Sequence, residues 1–124
     1  MASLLLKVGG YGFIRFLVVL QDGIYYFRYV VLLLALSSVI LSSIEALRQS
    51  DLKKIIAYSS IAHINVGVVG LSTLTNFGVL GHLILIISHG FISAGLFLLI
   101  GILYERTHSR IVYYHKGLML MMPL

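Results

Sequence analysis

The chain has 124 residues, 60% hydrophobic and only 10% charged, with a mean hydropathy of +1.04. A soluble domain carries about 25% charged residues, and so little polar surface cannot clothe a core in water; a soluble enzyme is excluded and lipid is the expected solvent. Cysteine is absent, which removes disulfides, thiolate zinc sites, iron–sulfur clusters and cysteine nucleophiles, and the net charge of +5 must be placed against the apolar segments before it is read.

At about 20 apolar residues per crossing, this length suits four helices with short connections. The first apolar block runs from Ala2 to Leu20 and is closed by Gln21-Asp22-Gly23. It already reads as membrane helix, and no A-x-A-like exit or Arg-rich leader precedes it, so no cleaved leader is expected. A second charge-free run, Tyr29 to Ile44, lies between Arg28 and the group Glu45, Arg48 and Asp51, as a helix ending at two interfaces would. The longest stretch without Asp, Glu, Lys or Arg extends from Ile55 to Tyr104. Its one polar interruption, Ser72-Thr73-Leu74-Thr75-Asn76, predicts a turn between two crossings.

The pattern therefore predicts helices at about 2–20, 27–47, 51–72 and 77–103, with a basic tail over 104–118. Ser50 or Asp51 is the expected cap of the third helix and Asn76 that of the fourth. A membrane β-barrel would alternate polar and apolar residues at period two, whereas Val30 to Leu36 is apolar on every face. The fold class is all-α, a polytopic transmembrane helix bundle forming one unit over residues 1–124.

Six basic residues, Arg48, Lys53, Lys54, Arg106, Arg110 and Lys116, fall at one end of these helices; Arg15 and Arg28 fall at the other. By the positive-inside rule the basic end faces the cytoplasm or the mitochondrial matrix. The basic balance thus expresses topology, and no nucleic-acid partner is expected. Tyr25, Tyr26, Tyr29, Tyr104, Tyr113 and Tyr114 sit near helix ends, where interfacial aromatics belong. Glu45, Arg48, Asp51 and Lys53, and Glu105 with Arg106 and Arg110, form interfacial charge clusters of the kind that anchor helices or dock neighbours.

A lysine near a helix centre costs about 2.5–3.5 kcal/mol on insertion scales, so Lys7 must be stabilised by something. Its amine either snorkels to the near interface, since only six residues precede it, or faces a hydrated path where burial makes its proton easier to release. His63 and His89 fall about twelve residues into the third and fourth helices, near the midplane. A neutral imidazole both donates and accepts, which suits proton relay, while a histidine hydrogen-bonded across the bundle is the packing alternative. Ser59 and Ser60 precede His63 by four and three positions, and Ser93 follows His89 by four, so hydroxyls share those helical faces.

His82 lies on the same face two turns before His89. No carboxylate lies near these histidines in sequence and no H-E-x-x-H pattern is present, so no metal site is expected. The glycines of the first, third and fourth helices complete no phosphate loop and are expected to let helices approach closely. Gly9, Gly10 and Gly12 leave open a second possibility, an irregular helix beside Lys7 with carbonyls free for water.

The segments Leu5-Leu6-Lys7-Val8-Gly9-Gly10-Tyr11-Gly12, Leu47-Arg48-Gln49-Ser50-Asp51-Leu52-Lys53 and Ile56-Ala57-Tyr58-Ser59-Ser60-Ile61-Ala62-His63 are followed by Ser88-His89-Gly90 and Tyr104-Glu105-Arg106-Thr107-His108-Ser109-Arg110. In this order and spacing the series resembles the subunit 4 family of NADH-ubiquinone oxidoreductase, respiratory complex I, and more loosely its antiporter-like relatives. The resemblance covers nearly the whole chain. It implies a part of an inverted-repeat subunit, corresponding to helices eight to eleven of fourteen, in the mitochondrial inner membrane with basic loops facing the matrix.

It further implies that Lys7 matches the lysine linking two half-channels and that His63 and His89 continue a central hydrophilic axis. With Ser59, Ser60 and Ser93 they are the candidate proton-translocation residues. The carboxylate–lysine pair of the first repeat and the ionisable residue of the twelfth helix have no counterpart, so this polypeptide is not expected to pump alone. Met1 and the end at Met122-Pro123-Leu124 suggest one piece of a split or truncated subunit. The resemblance places redox catalysis elsewhere: NADH and ubiquinone are used by the whole complex, and this chain binds neither, though a structural lipid is compatible with it. Other membrane-arm subunits, including a chain supplying the remaining helices, are the implied partners. An Mrp-type cation/proton antiporter subunit, a plastid-type relative and a non-catalytic membrane scaffold stand as alternatives.

Overall fold

The computed structural model describes residues 2–19 and 21–115. It contains four helices, α1 (Ala2–Val19), α2 (Gln21–Arg48), α3 (Leu52–Ser72) and α4 (Asn76–Thr107), followed by a short 3-10 helix at Val112–His115. This is the all-α bundle that the hydropathy pattern predicts. Lys116 and Pro123 lie outside the described residues.

Helix ends differ from the sequence expectation in ways that capping chemistry explains. Gln21, Asp22 and Gly23, expected as the turn closing the first helix, instead open α2. One glycine, Gly23, weakens a helix by about 1 kcal/mol without breaking it. Asp51, of the two candidates, caps α3 by accepting from the Lys53 backbone N–H at 3.1 Å. The cap of α4 is Thr75 and not Asn76: its backbone is extended and its Oγ1 accepts from the Gly78 N–H at 3.1 Å, leaving Asn76 as the first helical residue. At its other end α4 continues past the apolar window through Tyr104-Glu105-Arg106. It stops at His108, whose left-handed backbone (φ 50°) sends its N–H to the Tyr104 carbonyl at 2.8 Å.

Three segments, Tyr25–Arg48, Leu52–Ser72 and Asn76–Thr107, are long and apolar enough to cross a membrane. α3 is the central helix, with α2 packed along it, α4 also against it, and α1 resting mainly on α4. Small residues make this possible, since Ser60, Gly67 and Ser72 of α3 are buried, and Leu71 fills the space beside them. In contrast, Leu33 and Leu34 of α2 and Phe91 and Leu98 of α4 are exposed, so the bundle turns apolar surface outward toward lipid or neighbouring helices.

The basic end is a built structure. The chain after α4 returns beneath the α2–α3 turn, where Leu52 N–H donates to the Arg110 carbonyl at 3.0 Å and Val112 N–H to the Ser50 carbonyl at 2.9 Å. Glu45 faces Arg48 at 4.0 Å and accepts from Gln49 at 2.9 Å, and the Arg110 guanidinium lies over the Tyr104 ring at 4.5 Å. At the opposite end Arg15 donates to the Tyr11 hydroxyl at 3.0 Å and Arg28 to that of Tyr29 at 2.6 Å. Arg28 also covers the Tyr25 ring at 5.0 Å.

Candidate functional site

A helix interior satisfies its own backbone, so any polar side chain deep in a membrane bundle must find a partner on another helix. Lys7 finds one on α4. Its Nζ donates to Ser93 Oγ at 3.2 Å, near the middle of that helix, so the side chain turns into the bundle and not toward the end of α1. Ser93 is 2% exposed and also lies 3.2 Å from the Gly90 carbonyl. α1 is unbroken through Gly9, Gly10 and Gly12, so the alternative of an irregular helix beside Lys7 is not realised.

One turn along α4 from Ser93, the His89 ring approaches that of His63 on α3, with centroids 5.4 Å apart and planes tilted by 56°. His89 Nδ1 is buried without a hydrogen-bond partner. Between α3 and α4 lies a cavity of about 190 Å³ lined by Ser59, Ser60, His63, Ser88, His89 and Ser93, with Ile56, Leu85, Ile92 and Leu96 as its apolar walls. A cleft of that size, with serine and histidine side chains in its walls, has room for several waters. Ser60 is 3% exposed, and Ser59 and Ser88 meanwhile donate to carbonyls of their own helices, Ile56 at 2.8 Å and Leu85 at 3.1 Å.

The structure thus brings Lys7, Ser93, His89, His63, Ser60 and Ser59 into one neighbourhood. Ser93 is the joint, since it accepts from Lys7 and also lines the cavity. Ser88 belongs to the same wall, although the sequence singled it out only as part of the Ser88-His89-Gly90 signature. Its exposure to the cavity follows from its place directly beside His89. The charged residues Glu45, Arg48, Asp51, Lys53, Glu105, Arg106 and Arg110 lie apart from this group, at the basic end of the bundle. Among the described residues no three His, Cys, Asp or Glu side chains gather as a metal site.

The whole chain, residues 1–124, matches the family described as "NADH:quinone oxidoreductase/Mrp antiporter, TM". The chain belongs to that family. It is 44% identical to the NADH-ubiquinone oxidoreductase chain 4 of Chondrus crispus over its full length, covering 25% of that protein. Its identity to the chain 4 of Marchantia polymorpha is 43%, again over the full length and 25% of the relative. For Polypterus ornatipinnis the values are 40% identity and 27% coverage of the relative. The chain spans about a quarter of the length of these relatives. With three described helices long and apolar enough to cross a membrane, it is a multi-pass membrane chain.

Proposed function

We propose that this chain is part of the proton-translocating membrane arm of an NADH:ubiquinone oxidoreductase, and that Lys7, His63 and His89 carry protons through it. The observation that carries the proposal is the Lys7 Nζ–Ser93 Oγ bond at 3.2 Å, which ends at the wall of a cavity shared by two imidazoles. An ammonium held there gives a proton to a water or hydroxyl in the cavity, and an imidazole accepts it on one ring nitrogen while losing one from the other. Ser59, Ser60 and Ser93 hold the intervening waters. Two unit charges about 10 Å apart at an effective dielectric of 20 interact by about 1.7 kcal/mol, so protonation of one member shifts the next by more than tenfold. No electron passes through this chain; NADH is oxidised and ubiquinone reduced elsewhere in the complex.

The relatives are named as chain 4 of NADH-ubiquinone oxidoreductase, which favours this reading over an Mrp-type antiporter. The four helices act as one unit of the larger subunit, beside its remaining helices and other membrane-arm subunits, with lipid against the outward apolar faces. The location is the mitochondrial inner membrane, with the basic end around Arg48, Lys53, Arg106 and Arg110 facing the matrix.

The test is Lys7→Met in the assembled complex, with protons pumped per NADH measured in sealed vesicles. NADH oxidation by an artificial acceptor reports how much complex is assembled. Pumping per NADH falls; an unchanged stoichiometry refutes the role.

A further inference from the structure

The most enclosed polar side chain among the described residues takes no part in the group above. His82 of α4 is 1% exposed and neither ring nitrogen has a hydrogen-bond partner. The ring sits where α1 and α3 converge on α4. Nε2 is 3.1 Å from the place a Cβ would occupy on Gly10, and Nδ1 would overlap a Cβ on Gly67. A side chain on Gly67 would take the place of the ring, and one on Gly10 would crowd it. An apolar residue would fill this space without leaving a buried donor and a buried acceptor unpaired, a state that is expensive in a dry interior.

Helical spacing gives the place a meaning. Gly10 lies one turn beyond Lys7 on α1, Gly67 one turn beyond His63 on α3, and His82 two turns from His89 on α4. The same three helices thus contribute to two successive layers. His82 occupies the second layer, displaced toward the α3–α4 turn and away from the basic end.

The titratable side chains of the first layer are Lys7, His63 and His89, and Tyr11 and Arg15 follow Gly10 on α1. The only carboxylate of α1, α3 or α4 is Glu105, far along α4 at the basic end. No carboxylate on these helices is placed to hold an imidazolium here; the polar groups beside the ring are the backbone carbonyls of Gly10 and Gly67.

We propose that His82 is a further proton carrier of the same path, leading from the Lys7–His63–His89 layer toward the face of the α3–α4 turn. This rests on the function proposed above. The closed layer has no room for water beside the ring, so the transfer belongs to turnover: when water reaches it, the neutral ring accepts a proton on one nitrogen, becomes imidazolium, and returns to neutral by releasing one from the other to water on the far side; no electron moves and no co-reactant is consumed. A packing histidine in the same place stays neutral throughout.

Two measurements on the intact complex decide between them. In the wild type, exchange of the imidazole C2 hydrogen in D2O, read by mass spectrometry, requires transient protonation and contact with water. It accelerates at His82 when NADH drives turnover. In His82→Gln, which keeps hydrogen-bonding atoms but cannot carry a proton, protons pumped per NADH fall to the level of Lys7→Met, per assembled complex.

Normal pumping by His82→Gln, or no turnover-dependent exchange at His82, overturns the proposal. If Lys7→Met loses pumping while His82→Gln retains it, the function above stands and only His82 is lost from it. If Lys7→Met pumps normally, both fail. Should His82→Gln not assemble, the wild-type exchange decides alone.

Discussion

Two layers of the same three helices meet opposite demands. In the first, Lys7, His63 and His89 stand among Ser59, Ser60, Ser88 and Ser93 and border a cavity. In the second, Gly10 and Gly67 close around the His82 ring and leave no room for a side chain. The helices, their lipid-facing surfaces and the kind of titratable residue are shared. What differs is the residue on the neighbouring helices, hydroxyl in one layer and hydrogen in the other. The serine hydroxyls line a gap with donors and acceptors, whereas the glycines let the helix backbones close onto the ring. The room beside each titratable side chain is thus set by the smallest residues around it.

The largest expected effect tests the closed layer. A Cβ on Gly67 would overlap His82 Nδ1, and the ring has no empty direction to move into because Gly10 of α1 lies at its other side. Gly67→Ala therefore forces α3 and α4 apart, at a cost of about 1–3 kcal/mol for overpacking. The amount of assembled complex at raised temperature falls accordingly. Assembly and thermal resistance equal to wild type would show that this layer is not closed, and the contrast between the two layers would break.

Ser93→Ala tests the open layer. It removes the acceptor of the Lys7 ammonium, and a hydrogen bond to a charged group contributes about 1.5–3 kcal/mol. It also removes a hydroxyl from the cavity wall. Protons pumped per NADH fall while the complex still assembles, because the cavity accommodates a water where the hydroxyl was. If assembly collapses as with Gly67→Ala, the two layers are alike in kind.

Much of the first layer was legible in the sequence, because ionisable residues are rare in lipid. Lys7, His63 and His89 stand out against apolar surroundings, and three- and four-residue spacing placed Ser59, Ser60 and Ser93 on their faces. The direction of the Lys7 side chain was not legible. Snorkelling and inward turning differ only in where α4 lies, which is a contact between residues far apart in the chain. His82 was visible for the same reason as His89, yet its closure depends on Gly10 and Gly67, which read as residues of close helix approach or, at Gly10, of an irregular helix beside Lys7, and neither reading points to His82. The helix ends were misjudged where polar residues had two uses: Gln21-Asp22-Gly23 suits a turn and also a helix start, and Thr75 competes with Asn76 as a cap.

A smaller effect separates the two sides of the His82 ring. At Gly10 an added Cβ would come within 2.8 Å of Ile86 Cδ1 and 3.1 Å of His82 Nε2. The first of these is the end of a flexible side chain that can rotate away, so Gly10→Ala costs about 1 kcal/mol, the lower limit of overpacking. The melting temperature of the assembled complex should fall less than with Gly67→Ala; the reverse order would place the rigid side of the pocket on α1.

Gly9 has nothing within 4 Å of where a Cβ would stand, although it adjoins Gly10 and is only two residues from Lys7. Its substitution by alanine meets no neighbour and removes the conformational freedom that glycine must lose in a helix, so α1 gains about 0.5–1 kcal/mol. The sign is opposite to that at the adjacent position. Thermal resistance of the Gly9→Ala complex should equal or slightly exceed wild type, with pumping per NADH unchanged. A loss of stability at Gly9 as large as that at Gly10 would mean that the whole glycine run of α1 is packed against a surface, and that closeness to the His82 ring is not what distinguishes Gly10.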